Sequence, residues 1–136
     1  MIKSMAEFMK LLSIYILFFM IGLGPAAISQ NYFQKTFGGV GNDVAVDFEQ
    51  TIDNCIFLLG YTNSFGNGGY DIVLTKINLD GSIIWSKLYG AAGDDYAHDI
   101  KRVTNGDYII CGNTTSSGFG ENDIYILRID LNGNLI

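Results

Sequence analysis

The chain has 136 residues, 16% of them charged, and a formal net charge of −6 at neutral pH. An acidic balance without a basic cluster repels nucleic-acid phosphates and anionic lipid head groups, so neither is expected as a partner. Two cysteines allow at most one disulfide.

At the N-terminus, Lys3 and Lys10 precede an uncharged apolar run from Leu11, followed by the helix-breaking Gly24-Pro25 and small residues. This layout predicts a secretory signal over 1–29, cleaved after Ser29 by the small-x-small pattern Ala27-Ile28-Ser29, with export to the medium or the cell surface. The competing reading is an uncleaved anchor, because the run with its flanks approaches the roughly 17 residues of a short span. No cysteine lies near the cleavage site, which argues against a lipoprotein. Cleavage would leave no stable membrane span and, by removing two lysines against one glutamate, take the net charge from −6 to about −7.

Residues 30–136 read as a β-repeat region. Asn31 to Phe37, NYFQKTF, is expected to be a strand standing alone. Unit one, 38–89, opens with FGGVGND and continues as VAVDFEQT, CIFLLGYT, the connection NSFGNGG, YDIVLTKI, the turn NLDG and SIIWSKLYG. Apolar alternation over short runs, bounded by glycine, asparagine and aspartate, predicts four strands. Unit two, 90–136, opens with GAAGDD and gives YAHDIKRV, TNGD, YIICGNTT, SSGFGEN, DIYILRI and DLNGN before LI. Asp80-Gly81 and Asn132-Gly133 fall between apolar runs, where a tight hairpin needs residues tolerant of positive φ. No helical periodicity is found beyond residue 30.

The two units are one unit repeated. From Lys35/Lys87 to Ile84/Ile136 the sequence matches itself at a period of 52 without a gap, with about 17 of the 50 pairs identical. Identities fall on glycines, aspartates and hydroxyl residues at turns, including Asp47/Asp99, Gly60/Gly112, Thr62/Thr114, Ser64/Ser116 and Asp71/Asp123. Strand positions exchange one apolar residue for another, which keeps core volume and not particular side chains. Four antiparallel strands in about 50 residues is the arithmetic of a propeller blade. The fold class expected is therefore all-β, two blade-type repeats, the second incomplete, in a fragment of a larger propeller; a two-unit protein that associates with copies of itself is the alternative.

KLYGAAGDDYAHDIKRVTNGDYIICGNTTS and the following DIYILRIDLNGNLI resemble the bacterial seven-bladed β-propeller repeat family of secreted and surface proteins. The shared features are the GGxGxD turn, an apolar strand ending in Asp, an Asn-Gly turn, a strand ending in G-x-T, and a D-x-x-x-x-K strand leading to an NG turn and Trp. The resemblance implies the fold and scarcely any activity. It also suggests that a C-terminal sorting or anchoring domain follows in family members.

GGVGNDVAV matches the nonapeptide of calcium-binding β-rolls, but a β-roll needs the next copy nine residues on, where Asp47-Phe48 stand instead. Asp43 and Asp95 are therefore read as structural turn residues that accept backbone N–H groups, alongside Gly81 and Gly133 at the hairpins. A single-turn calcium site would need oxygens beyond one carboxylate, and no metal or cofactor is expected. DLNGN matches the first positions of an EF-hand loop but lacks the closing Glu and the flanking helices. Asp43, Asp47 and Asp71 recur one period on, as Asp95, Asp99 and Asp123, so they are expected to satisfy turns and strand ends and not to form one acid/base pair. The unrepeated polar residues are Glu49, Asp53, Asp94, His98, Arg102, Asp107 and Glu121, with His98 expected as a packed or pore-lining residue. No nucleophile–base motif or phosphate loop is present. Cys55 and Cys111 sit at opposite ends of equivalent strands, and two free thiols are expected.

Tyr61, Phe65, Tyr70 and Phe119 flank the long second-to-third connections and are the candidate ligand-binding residues. Their rings could stack on a glycan or a protein partner, or pack between blades. The function expected is a non-enzymatic binding or scaffold module, its partners a glycan or protein and either further blades or a second copy. The alternative is part of an extracellular, polysaccharide-directed hydrolase whose catalytic residues lie elsewhere.

Overall fold

The computed structural model describes residues 33–136; the expected signal over 1–29, and the first two residues of the lone strand, lie outside the described residues. Seven strands form: β1 (Asp43–Gln50), β2 (Ile56–Thr62), β3 (Asp71–Ile77), β4 (Ile83–Tyr89), β5 (Asp95–Arg102), β6 (Tyr108–Thr114) and β7 (Asp123–Ile129). They make two antiparallel sheets, β1-β2-β3-β4 (sheet one) and β5-β6-β7 (sheet two), each in sequence order. The period of 52 is a period of structure as well. Asp43 faces Thr62 and Asp95 faces Thr114 in register, and each first strand carries a bulge at the same place, between Ala45 and Asp47 and between Ala97 and Asp99.

The bulge explains one identity. Gly60 pairs with Ala45 beside it, and a Cβ on Gly60 would stand 2.2 Å from the Val44 carbonyl oxygen. Gly112 is in the same position, 2.0 Å from the Tyr96 oxygen. Both units need a residue without a side chain here, because the bulge pushes neighbouring backbone inward.

The turns correct one expectation. Asp80 and Asn132 do not take positive φ, so the Asp-Gly and Asn-Gly hairpins are not two-residue mirror turns. Gly81 N–H donates to Asn78 O at 2.9 Å and Gly133 N–H to Asp130 O at 3.0 Å, each glycine sitting left-handed at the fourth position (φ 76° and 72°). This is a three-residue connection, a type I turn followed by a glycine that restores the strand direction. The connection from β1 to β2 repeats it with Asn54 (φ 59°) where β5–β6 has Gly106 (φ 92°).

The lone strand is the second correction. Residues 33–37 join no ladder, since a fourth strand needs a third strand beside it and none is free there. The contact expected of that position survives nevertheless. The Phe33 ring lies over Gly81, 2.7 Å from where a Cβ would be, as Trp85, its repeat equivalent, lies over Gly133 at 2.8 Å.

One core fills the space between the sheets. Phe57, Leu59, Ile72 and Leu74 from sheet one meet Ile100, Tyr108, Ile110 and Ile129 from sheet two, all of them at 0% exposure. Burying each of these large side chains contributes about 1.5–3 kcal/mol relative to leaving it in water. The Phe57 and Tyr108 rings meet edge to face with centroids 4.7 Å apart. Polar links stitch the same junction: Tyr89 Oη donates to Gly133 O at 2.8 Å, and the buried Lys76, paired with Asp53 of its own unit at 2.7 Å, also donates to Leu131 O at 3.4 Å. Burial pushes the Tyr89 phenol up to about 12, with the Asp130 charge adding to it, so this donor keeps its proton across the physiological range.

Candidate functional site

At the end of the molecule where β1 and β5 begin, the repeated polar residues close into two equivalent clasps. Asp43 Oδ2 accepts from Gly39 N–H at 2.8 Å and from Ser64 Oγ at 2.8 Å, while Ser64 Oγ accepts from Gly41 N–H at 2.8 Å. Asp95 Oδ2 accepts from Ala91 N–H at 2.9 Å and Ser116 Oγ at 2.6 Å, and Ser116 Oγ accepts from Gly93 N–H at 2.9 Å. Ser64 and Ser116 are fixed in turn by their own N–H groups, each donating to Thr62 or Thr114 Oγ1 at 2.9 Å. The GGxGxD turn therefore serves to bind the β2–β3 connection of its own sheet. Hydrogen bonds from Thr62 first, then Gly39 N–H and Ser64, hold the Asp43 carboxyl below the usual carboxylate range. The two clasps differ at one atom. Asp43 Oδ1 accepts from Thr62 Oγ1 at 2.5 Å, whereas Asp95 Oδ1 is buried without a donor.

Asp71 makes a third clasp, accepting from Asn67 N–H at 3.0 Å. It is 3% exposed, and its Oδ1 and Asp95 Oδ2 both lie against Gly90, 2.3 and 2.6 Å from the point a Cβ would occupy. Burial raises the Asp71 carboxyl above its ordinary value, and the Asp95 charge adds to the rise. Among the described residues no three His, Cys, Asp or Glu side chains converge as a metal site would require.

Beside the clasps lies an aromatic cluster. Tyr61 on β2, Tyr70 before β3 and Tyr96 on β5 bring their rings together at centroid separations of 5.6 Å (Tyr61–Tyr70), 5.0 Å (Tyr61–Tyr96) and 5.2 Å (Tyr70–Tyr96). All three are half-buried, and they sit where sheet one meets sheet two. Asn42 Nδ2 donates to Tyr70 Oη at 3.1 Å, and Tyr70 N–H donates to Asp94 Oδ1 at 2.8 Å. Partial burial first, then the Asp94 charge, raises the Tyr96 phenol above its ordinary value. A protonated phenol is a donor, an acceptor and a stacking face; it is neither a nucleophile nor a base at neutral pH.

The four candidate ligand-binding residues thus separate. Tyr61 and Tyr70 come together. Phe65 is on the other side of its loop, against Gly39, and Phe119 stands fully exposed at 101% with nothing beside it. Tyr96 was not singled out by the sequence, although it replaces Val44 of unit one and this departure from the repeat was a usable signal. His98, expected to be packed or pore-lining, is exposed and bonds Asn113 Oδ1 through Nε2 at 2.6 Å. Other unrepeated polar residues hold structure: Asp107 pairs with Arg128 at 2.6 Å, and Asp53 with Lys76. Cys55 and Cys111 are both free. No family model matches the chain, and no curated protein matches it.

Proposed function

We propose that the chain is a two-blade segment of a β-propeller, exported to the cell surface or the medium, that acts as a non-enzymatic binding or scaffold module for a glycan or a protein. The observation that supports this most is how the polar residues are used. Asp43, Asp71 and Asp95 with their hydroxyl partners hold turns, Asp47 and Asp99 share Lys101 at the sheet junction, and beside them three phenol rings from unequal positions of the two units come together. Rings with neutral hydroxyls recognise by stacking and hydrogen bonding. The export reading rests on residues 1–29 and the propeller reading on the repeat of bulge, turn and clasp.

The test is an array of glycans and extracellular proteins probed with the folded chain, followed by titration of each ligand found. A ligand whose affinity falls at least tenfold on Tyr96→Ala, with the fold intact by far-UV circular dichroism, is the result expected, a truncation of a central aromatic contact being worth about 1–2 kcal/mol or more. Hydrolysis of any arrayed polysaccharide, or binding unchanged by Tyr61→Ala and Tyr96→Ala together, overturns it.

A further inference from the structure

The two sheets meet through one face each, and each has a second face that repeats part of the other's apolar pattern. Ile72 and Leu74 of sheet one are 0% exposed against sheet two, while their repeat equivalents Ile124 and Ile126 are 85% and 55% exposed on the outer face of sheet two. In the other direction, Ala97 is fully buried against sheet one, whereas its equivalent Ala45 is exposed, in a groove of 780 Å³ on the outer face of sheet one. The outer face of sheet two therefore carries, in Ile124 and Ile126, equivalents of residues that sheet one uses at the junction, and the outer face of sheet one carries, in Ala45, the equivalent of one that sheet two uses. A contact formed between two such outer faces would repeat an interface the molecule already contains.

The edges agree with the faces. Among the described residues the free edge of β7 pairs only at Ile129↔Leu135, the equivalent of Ile77↔Ile83, where β4 begins its ladder on β3. Phe33 holds the position of Trp85, the next residue but one in that ladder, and its ring already covers the equivalent glycine. Moving the register Ile72↔Tyr89 and Lys76↔Trp85 by one period sets Ile124 opposite Phe37 and Arg128 opposite Phe33. The loop ends fit as well. Gly68 must be glycine because the Ala92 carbonyl comes within 2.2 Å of its missing Cβ, while its equivalent Gly120 has nothing within 4 Å.

We infer that the two outer faces bind each other between copies of this chain, head to tail, with residues 33–37 of one copy completing sheet two of the next as its fourth strand. The inference rests on the reading of each sheet as a propeller blade. The contact is heterologous, so it closes into a ring or extends as a chain of copies, and strand addition satisfies the open β7 edge by main-chain hydrogen bonds. One pair opposes it. Lys101 meets Asp47 at 3.2 Å across the internal junction, but its equivalent is Glu49, which sets Glu49 of one copy against Asp99 of the next. Salt screens this repulsion while leaving the apolar contact, so association strengthens as ionic strength rises.

The experiment is light-scattering mass on the full chain and on two variants, Ile126→Arg, which blocks the outer face of sheet two, and Ala45→Arg, which blocks that of sheet one. Residues 1–31 are common to all three proteins, so differences in mass report the faces. Wild type is expected at several times the chain mass and each variant at the chain mass. The mixture of the two variants is expected at twice the chain mass, because one intact face remains on each. Amide exchange over 33–37 and 124–128 slows in the mixture. Should either variant fail to fold, Ile124→Arg and Val44→Arg load the same two faces at exposed positions. A wild-type mass of one chain at about 100 μM, far above the dissociation constant of a stable interface, overturns the inference. So does a mixture that stays monomeric, or a variant that associates like wild type. The ligand array leaves this result untouched, and the masses leave the array untouched, so the contact and the proposed function fail separately.

Discussion

At the scale of single residues, the carboxylates divide by environment. Asp43 accepts three hydrogen bonds and is held low, whereas Asp71 is buried against Asp95 and raised. A carboxyl raised in the folded state contributes stability that is fully present below its unfolded pKa and is lost as pH rises through the folded value. Wild type therefore carries an Asp71 term that weakens the fold as pH climbs above the ordinary carboxylate range. Asp71→Asn keeps an acceptor for Asn67 N–H and removes the charge. Urea midpoints of the two proteins measured from about pH 3 to about pH 7 should converge or favour wild type at the acid end and favour the variant at the neutral end; a constant gap would mean that the Asp71 carboxyl is not raised in the folded state. Asp43 works in the opposite sense, its contribution being present above its unfolded pKa and lost on acidification. Gly60 gives a prediction without charge. Gly60→Ala forces a methyl onto the Val44 carbonyl at 2.2 Å and should cost about 1–3 kcal/mol in chemical denaturation, with Gly112→Ala costing a similar amount.

At the scale of elements, the four short hairpin connections follow one plan, and only one of them lacks glycine at its left-handed position. Asn54 holds φ 59° where Gly81, Gly106 and Gly133 stand elsewhere. Asn54→Gly should stabilise the chain by up to about 1 kcal/mol, since the left-handed conformation disfavours a side chain, and Gly81→Ala should cost about 1–2 kcal/mol before its clash with Phe33 is added. Thermal midpoints moving in opposite directions for the two substitutions would bear this out, and shifts of the same sign would count against the turn geometry. The strands were legible in sequence because alternation and turn residues are local: the runs YDIVLTKI and DIYILRI contain β3 and β7 to within a residue. The turn type was not, because an Asp-Gly or Asn-Gly pair is compatible with both a mirror turn and a type I turn ending in a left-handed glycine. The number of residues in the loop decides between them, and that follows from where the ladder closes. That Asp43 accepts a backbone N–H group at its turn was legible, but its bonds to the Thr62 and Ser64 hydroxyls were not, since they join residues about twenty positions apart. Tyr96 escaped for the same cause: it meets Tyr61 only when two different units come face to face.

At the scale of the molecule, stability belongs to the junction between the sheets more than to either sheet. Sheet two alone would be three strands with its apolar faces in water, and few-strand units of a repeat fold do not stand by themselves. Phe57 lies at the centre of that junction, fully buried, edge-on to Tyr108 and 5.5 Å from Trp85. Phe57→Ala removes a ring that both sheets use and should cost about 3–5 kcal/mol, a large share of the roughly 5–15 kcal/mol that a domain has in all. Because the core is shared, that loss should appear equally in both units. Trp85 is the only tryptophan and, packed on Phe57 and over Gly133, reports the junction by fluorescence, while amide exchange along β5–β7 reports sheet two. In the wild type the two probes are expected to give one denaturation midpoint, and in Phe57→Ala one lower midpoint. Protection of β6 amides surviving at a denaturant concentration where the Trp85 signal is already lost would show two separable units. The repeat would then be a string of independent sheets, and the complementarity of its outer faces would lose its energetic basis.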